Sequence, residues 1–323
     1  MSSSKKNTKE KLERIDLNSK TRQKILPFCR LKHGEIWEDP VKGHRIGVLD
    51  AASYDDIKEI AGRKKARCII NDPPYNFTVG NRKTHALSKV PVEEYIAFGE
   101  EWVQNCIKSM KKDAHLYIWL GADIKDNFQP FPQFLLMMQG IKELRPRNFI
   151  TLRNQRGFGT LYNWMWVRQE LLYYIKGHPG FKVVYTDIPK ILKGYYKEVD
   201  GKRTENIERS RSETIRPGNV WVDIQQVFYR LEENVPGCYA QKPLAAIERI
   251  ISSSSSKGEC IMDFFAHSGT TLIGGEILGR RVYTFDKDPV FAEITIRRLE
   301  HYRETGKTGW QWNNPFPEIE SKP

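Results

Sequence analysis

Two short stretches combine residue types that could do chemistry. The first is Asp-Pro-Pro-Tyr at residues 72–75, which ends the apolar run "CIIND". An exocyclic amine on a nucleobase is a poor nucleophile, because its lone pair is delocalised into the ring. Two acceptors on its N–H bonds would favour a pyramidal nitrogen with a usable lone pair. The Asp72 carboxylate can supply one acceptor and the Pro73 carbonyl the other. Pro73 and Pro74 each fix φ at about −65°, which would aim that carbonyl. Tyr75 offers a flat face on which an extruded base could stack, worth ~1–3 kcal/mol. Such a base must leave the duplex, since nothing reaches this geometry inside the stack. Taken alone, the four residues read equally as a strand closed by a proline turn.

The second stretch is "DFFAHSGTTLIGGEILG", from Asp263. Its spacing predicts a strand, a tight turn and a helix. Gly269 lets the chain turn sharply and approach a ligand. Ser268, Thr270 and Thr271 bring hydroxyls and backbone N–H groups to a helix N-terminus, which favours a carboxylate or phosphate. Asp286 ends the next strand, 23 residues after Asp263 (286 − 263), a spacing suited to an acid on ribose hydroxyls. One glycine in the turn departs from GxGxxG, so an adenosine cofactor without a pyrophosphate fits better than NAD. Similar turns also occur in α/β proteins that bind no nucleotide.

These residues need a parallel sheet to hold them. "HRIGVLD" reads as a strand ending at Asp50, "YDDIKEIAG" as a short helix, and "ARCIIND" as a strand buried on both faces. Residues 92–109 carry a helical apolar stripe, and "AHLYIWL", "FITL" and "ELLYYIK" read as further strands. A polar loop spans 76–90. Residues 181–237 lose the pattern. Order returns at "QKPLAAIERIISSSSSKGECIMDFF", where Pro243 suits a first helical turn and the serines read as helix end and turn. The strand "RVYTFD" and a helix through "PVFAEITIRRLEHY" complete a doubly wound β-α-β-α order.

The chain has 323 residues and a net charge of +12, which points to a polyanionic partner or to a solvated basic surface. Residues 1–34 carry ten Lys/Arg against three acids, and residues 141–180 seven against two, so the second block suits a binding face. Five scattered cysteines without a CxxC pair argue against a zinc site and a disulfide framework. No apolar run approaches the ~18 residues of a membrane span, and the polar start is no signal peptide. The loop "RNQRGFGTLYNWMW" offers Arg153, Asn154, Gln155 and Arg156 to phosphates and to the gap behind a displaced base. For Trp164 and Trp166 a buried aromatic hairpin is the expected role.

Together the two motifs resemble the amino-group DNA methyltransferases that use S-adenosylmethionine. "DPPY" is similar to their catalytic motif and "DFFAHSGTT" to their cofactor motif DPFxGSGTT. Catalytic motif first and cofactor motif last matches the permuted β-class order, and the likeness covers residues 34–303. The resemblance implies a Rossmann-like, mostly parallel seven-stranded sheet with helices on both faces and a target-recognition insertion. It divides the chain into a basic tail (1–33), a catalytic half (34–180), a target-recognition region (181–237), a cofactor half (238–305) and a C-terminal tail (306–323). Asp72, Pro73, Pro74 and Tyr75 would hold the target base. Asp263, Phe265, Ser268, Gly269, Thr270 and Thr271 would line the methionine end of the cofactor, with Lys242 and Pro243 shaping its carboxylate side. Asp286 would take the ribose and Asp50 the adenine amino group.

Aspartate at the head of the motif accompanies adenine-N6 methylation in this family, and serine accompanies cytosine-N4. The expected substrate is therefore an adenine in double-stranded DNA, within a restriction-modification system that includes a cognate endonuclease. A cytosine-N4 enzyme and a silent DNA-binding subunit are the alternatives. The resemblance further suggests a homodimer in a prokaryotic cytosol, associated with the nucleoid. Three departures stand out: Phe264 replaces proline, His267 replaces glycine, and "CYAQKP" replaces "HPTQKP". At His267 an imidazole meets a backbone that prefers positive φ, and the side chain is expected to point to solvent.

Overall fold

The computed structural model describes residue 15 and residues 19–76, 89–123, 126–158, 161–162, 164–189, 196–205, 212–227 and 230–320. Most of the expected 76–90 loop lies outside the described residues. In chain order the elements begin with α1 (Ser19–Ile25), β1 (Ile36–Glu38), β2 (Arg45–Val48), α2 (Tyr54–Ala61), β3 (Ala66–Asn71), α3 (Val92–Ser109) and β4 (Met110–Leu120). Next come α4 (Phe131–Gln139), β5 (Leu144–Phe158), β6 (Trp166–Lys176), β7 (Tyr196–Val199), β8 (Lys202–Glu205) and β9 (Val220–Trp221). The chain closes with α5 (Leu244–Ser254), β10 (Cys260–Asp263), α6 (Thr270–Ile277), β11 (Arg281–Asp286), α7 (Pro289–Thr305) and α8 (Pro317–Glu320).

One sheet runs β1-β2-β11-β10-β3-β4-β6-β5-β9. The expected seven strands are its body, from β2 to β5, and short β1 and β9 extend it to nine. From β2 to β4 the strands are parallel, while β6 is antiparallel to both of its neighbours. The unbroken apolar runs of β3 and β10 are buried on both sides. Cys68, Ile70 and Ile261 face a cluster with Ile247 and Ile250 of α5, Leu272 of α6 and Ile296 of α7. Ile69 and Met262 face the opposite cluster with Ile57 of α2, Trp102 of α3 and Phe134 of α4. A period of two inside a continuous apolar string is what a sheet covered on both faces requires.

The two segments drawn as tails are not wholly tails. Ile25 of α1, Phe316 beside α8, and Val290 and Ile294 of α7 form a third buried cluster. Within 181–237, β7 pairs with β8 as a separate hairpin and β9 joins the main sheet through β5.

Candidate active site

Crossover connections bring the two motifs side by side. β3 and β10 are neighbours in parallel register, with Cys68 opposite Ile261 and Ile69 opposite Met262. Their ends are tied together, since the Phe264 N–H donates to Asn71 Oδ1 at 3.0 Å. Four adjacent parallel strands, β2, β11, β10 and β3, each run into an aspartate at their carboxyl ends: Asp50, Asp286, Asp263 and Asp72.

The outer two acids hold lysines. Lys287 Nζ reaches Asp50 Oδ2 at 2.6 Å, and Lys242 Nζ reaches Asp72 Oδ2 at 2.5 Å. Burial works to raise the Asp50 carboxyl, but Lys287 and the Ala52 N–H outweigh it and lower its pKa. The inner two have no Lys or Arg at ion-pairing distance among the described residues. Asp263 accepts from the Phe265 N–H at 2.9 Å, and Asp286 from the N–H groups of His267 and Asp288, each at 3.0 Å. Burial first, then neighbouring carboxylates, pushes both up to about 7. Carboxylates in this condition suit a cation or hydroxyl donors.

Asp72 is fixed from its other side. The Tyr75 hydroxyl donates to Asp72 Oδ1 at 2.7 Å, and the Tyr95 hydroxyl donates to the Pro74 carbonyl at 2.8 Å. Desolvation and then the Asp72 charge keep the Tyr75 hydroxyl far above its ordinary pKa, so it remains a donor. Pro73 is buried and Pro74 exposed. Lys242 is buried, with its ammonium 5.2 Å from the Tyr75 ring centroid and 5.3 Å from that of Trp119. Gln241 anchors this loop by accepting from the Val235 N–H and donating to the Glu233 carbonyl. Pro243 caps α5 rather than entering its first turn.

A single cleft is lined by Asp72, Trp119, Lys242, Asp263, Phe265, Ala266, His267, Ser268, Thr270 and Thr271. With Lys242 laid against Asp72 its open space is only about 20 Å³, about one water. Gly269 sits at φ +73° as the N-cap of α6, and a Cβ there would stand 3.1 Å from Thr295 of α7. His267 takes φ +43°. Its half-buried ring lies 4.7 Å from that of Phe291, so it does not simply face solvent. Phe264 is buried and stacks on Phe285 at 5.0 Å.

The basic residues assigned to nucleic acid lie apart, on β5. Arg153 is exposed, and Asn154 accepts from Gln169 of β6 at 3.0 Å. Gln155 and Arg156 continue that strand, and their side chains lie outside the described ones. The buried hairpin expected for Trp164 is not formed, since Trp164 is 96% exposed. Trp166, at the start of β6, is half-buried.

Sequence reasoning missed Asn71, Trp119 and Arg298. Arg298 of α7 is fully buried. It donates to the Ser268 carbonyl at 2.8 Å, Thr270 Oγ1 at 3.0 Å, the Thr308 carbonyl at 2.7 Å and the Glu233 carbonyl at 3.2 Å. It therefore joins the turn before α6 to the loop that carries Lys242. An asparagine inside an apolar strand was a readable signal at Asn71, whereas nothing in "ITIRRLEHY" distinguishes Arg298 from its neighbour Arg297.

Residues 66–297 match the model of a family described as DNA methylase, covering N6 and N4 enzymes. The Type II methyltransferase M.HpaI of Haemophilus parainfluenzae is 27% identical over 72% of this chain and 67% of its own length. The DNA adenine methyltransferase YhdJ of Escherichia coli K12 is 25% identical over 79% of this chain and 84% of its own. Among solved structures, TTHA0409 of Thermus thermophilus, crystallised with S-adenosyl-L-methionine, superposes with a TM-score of 0.50 at 20% identity. That match covers 81% of this chain and 94% of the other.

Proposed function

The chain belongs to the N6/N4 DNA methylase family, and from that premise we propose that it methylates the N6 amino group of an adenine swung out of duplex DNA, using S-adenosylmethionine. The observation that carries this reading is the row of four aspartates. Among the described residues the two inner carboxylates lack a protein cation, next to an outer one held in a Pro-Pro-Tyr turn.

The donor's chemistry fits these residues. Asp263 would meet its positively charged end, the hydroxyls of Asp286's partner would be those of a ribose, and Asp50 would take the adenine amino group. Ser268, Thr270, Thr271 and the N-terminus of α6, with Phe265 and Gly269, would border the methionine end. The cleft's open space of about 20 Å³ is smaller than such a donor, so binding would require the lining side chains to move apart. When bound, the donor supplies a methyl group on a sulfonium, which leaves as a neutral thioether.

The chain's own part is alignment. Asp72 and the Pro73 carbonyl would accept from the two N–H bonds of the target amine. The proton lost on methylation would depart along the hydrogen bond to Asp72. Tyr75, anchored through its hydroxyl, would stack on the base. Arg153, Asn154, Gln155 and Arg156 would meet the phosphates. Residues 181–237 would read base edges, a role their near balance of ten basic and nine acidic residues suits better than bulk attraction. Aspartate rather than serine at position 72, and the adenine methyltransferase YhdJ among the relatives, support adenine over cytosine. The Type II relative M.HpaI supports a restriction-modification setting with a partner nuclease.

The test is methyl incorporation from labelled donor into duplex DNA, followed by nucleoside analysis of the product. N6-methyladenine is expected, with Asp72→Ala reduced at least about 10²-fold. Label at cytosine N4 would move the target base, and equal labelling by the variant would remove Asp72 from the reaction. Single-molecule sequencing of host DNA would give the surrounding bases.

A further inference from the structure

The β5–β6 hairpin carries a group of side chains that the reading above leaves idle. At its tip Leu161 is 100% exposed, Tyr162 96%, Trp164 96% and Met165 64%. Four large apolar side chains within five residues stand in water, although isolated exposed apolar residues are the usual case.

Register places this tip. Asn71 is level with Ile118, so Asp72 is level with Trp119, which pairs with Leu171 of β6. The hairpin continues from Leu171 to the Phe158–Trp166 pair, five residues beyond that level. At about 3.3 Å per residue this is a rise of roughly 16 Å, two strands or about 10 Å to the side of Asp72. The tip therefore overhangs the edge at which all four aspartates end. On its stem Arg153 and Arg168 are exposed, Arg168 also pairing with Glu170, and Arg156 continues β5 toward the tip.

We propose that this tip enters the base stack of duplex DNA beside the target, with Trp164 as the wedge. The proposal rests on the methyltransferase reading and extends it to the residues that open the duplex. Three features select duplex DNA as the occupant. The apolar tip matches the face of a base pair, the cationic stem matches the phosphates that flank it, and the offset puts the tip beside a base lowered to Asp72 rather than on it. A displaced base leaves a slot for a ring about as thick as the ~3.4 Å spacing of stacked bases. Filling it would offset part of the unstacking cost, as apolar wedges do when they part a base step.

The experiment uses the full chain and two duplexes carrying the site that sequencing identifies. In one the target base is paired, and in the other it faces an abasic position and is already unpaired. Wild type is compared with Trp164→Ala and with a Tyr162→Ala/Trp164→Ala double variant. On the paired duplex kcat/KM should fall about tenfold or more, the size of one lost stacking contact, while on the unpaired duplex it should fall less than about threefold. Fluorescence of 2-aminopurine at the target should show less extrusion by the variants. Calorimetric binding of S-adenosylmethionine should be unchanged, which excludes misfolding as the cause. Equal loss on both duplexes, or loss on neither, would overturn the wedge while leaving the methyltransferase reading intact. So would variants that merely break a dimer in sedimentation. If wild type methylates neither duplex, the methyltransferase reading fails first and the wedge fails with it.

Discussion

Asp263 and Asp286 show how one residue type serves two masters. Each carboxyl is raised from 3.8 to about 7, burial being the first cause. The folded value lies above the unfolded one, so between those limits the folded chain holds more protons than the unfolded chain. The stability this gives is complete below about pH 4 and is lost as pH rises through about 7. Asp263→Asn should therefore raise the melting temperature of the ligand-free protein above pH 7 and flatten its decline, while weakening S-adenosylmethionine binding. Thermal melts across pH and calorimetry check both halves, and a variant less stable at every pH would contradict the assignment. Cation binding should also expel protons near pH 7, visible as a buffer-dependent heat. Arg298 is the opposite case, a buried charge fully used by four acceptors. Arg298→Met should cost about 3 kcal/mol by stranding them, and Arg298→Lys should recover little because an ammonium cannot span the same fork. Chemical denaturation measures both.

At the scale of elements, the turn between β10 and α6 constrains the cofactor side of the site. Gly269→Ala would bring a Cβ to 3.1 Å from Thr295 at φ +73°. We expect about 1–2 kcal/mol of lost stability and a weaker cofactor site, read by melting and by calorimetry. This turn was legible in the sequence because glycine, hydroxyls and a strand-ending acid each have a local physical reason to be there. So were α3 and the strands β2, β3, β10 and β11, whose apolar strings are short and bounded by turn residues. The β5–β6 hairpin was not. "FITL" and "ELLYYIK" mark only the part of it that lies over the sheet. Beyond, where "RNQRGF" and "WVRQ" carry charge, the strands continue because they pair with each other and need no core. Helix α4 escaped notice because its Pro132, Gln133 and Gln139 dilute the helical pattern, and only Phe134 and Met138 are buried. Lys242 was recognised as part of a motif but not as the partner of Asp72, since 170 residues separate them and only the crossover joins them.

For the molecule as a whole, charge and topology divide the labour. Four of the nine strands place the aspartates on one edge, while the chain as a whole carries a net +12. Binding to duplex DNA should consequently weaken with salt, by at least about tenfold between 50 and 200 mM if even a few phosphates are met. Fluorescence anisotropy at graded salt measures the slope, and a flat response would remove the basic stem from the interface. No described helix is long and apolar enough to cross a membrane. The third cluster, where α1, α7 and the segment around Phe316 meet, ties both ends of the chain to the outside of α7, the helix that carries Arg298. Trimming either end should therefore loosen the site from behind, which hydrogen exchange in α7 would report.

Lys242 leaves a final consequence. Any amino group that comes to Asp72 arrives at a seat already taken by an ammonium of the chain itself. A nucleobase is neutral, so evicting the lysine for a base alone would strand an anion without its counterion. A second positive charge arriving next door would offset that loss. The cationic guest is therefore expected first and the uncharged one after it, an order that initial-rate kinetics with both substrates varied would report.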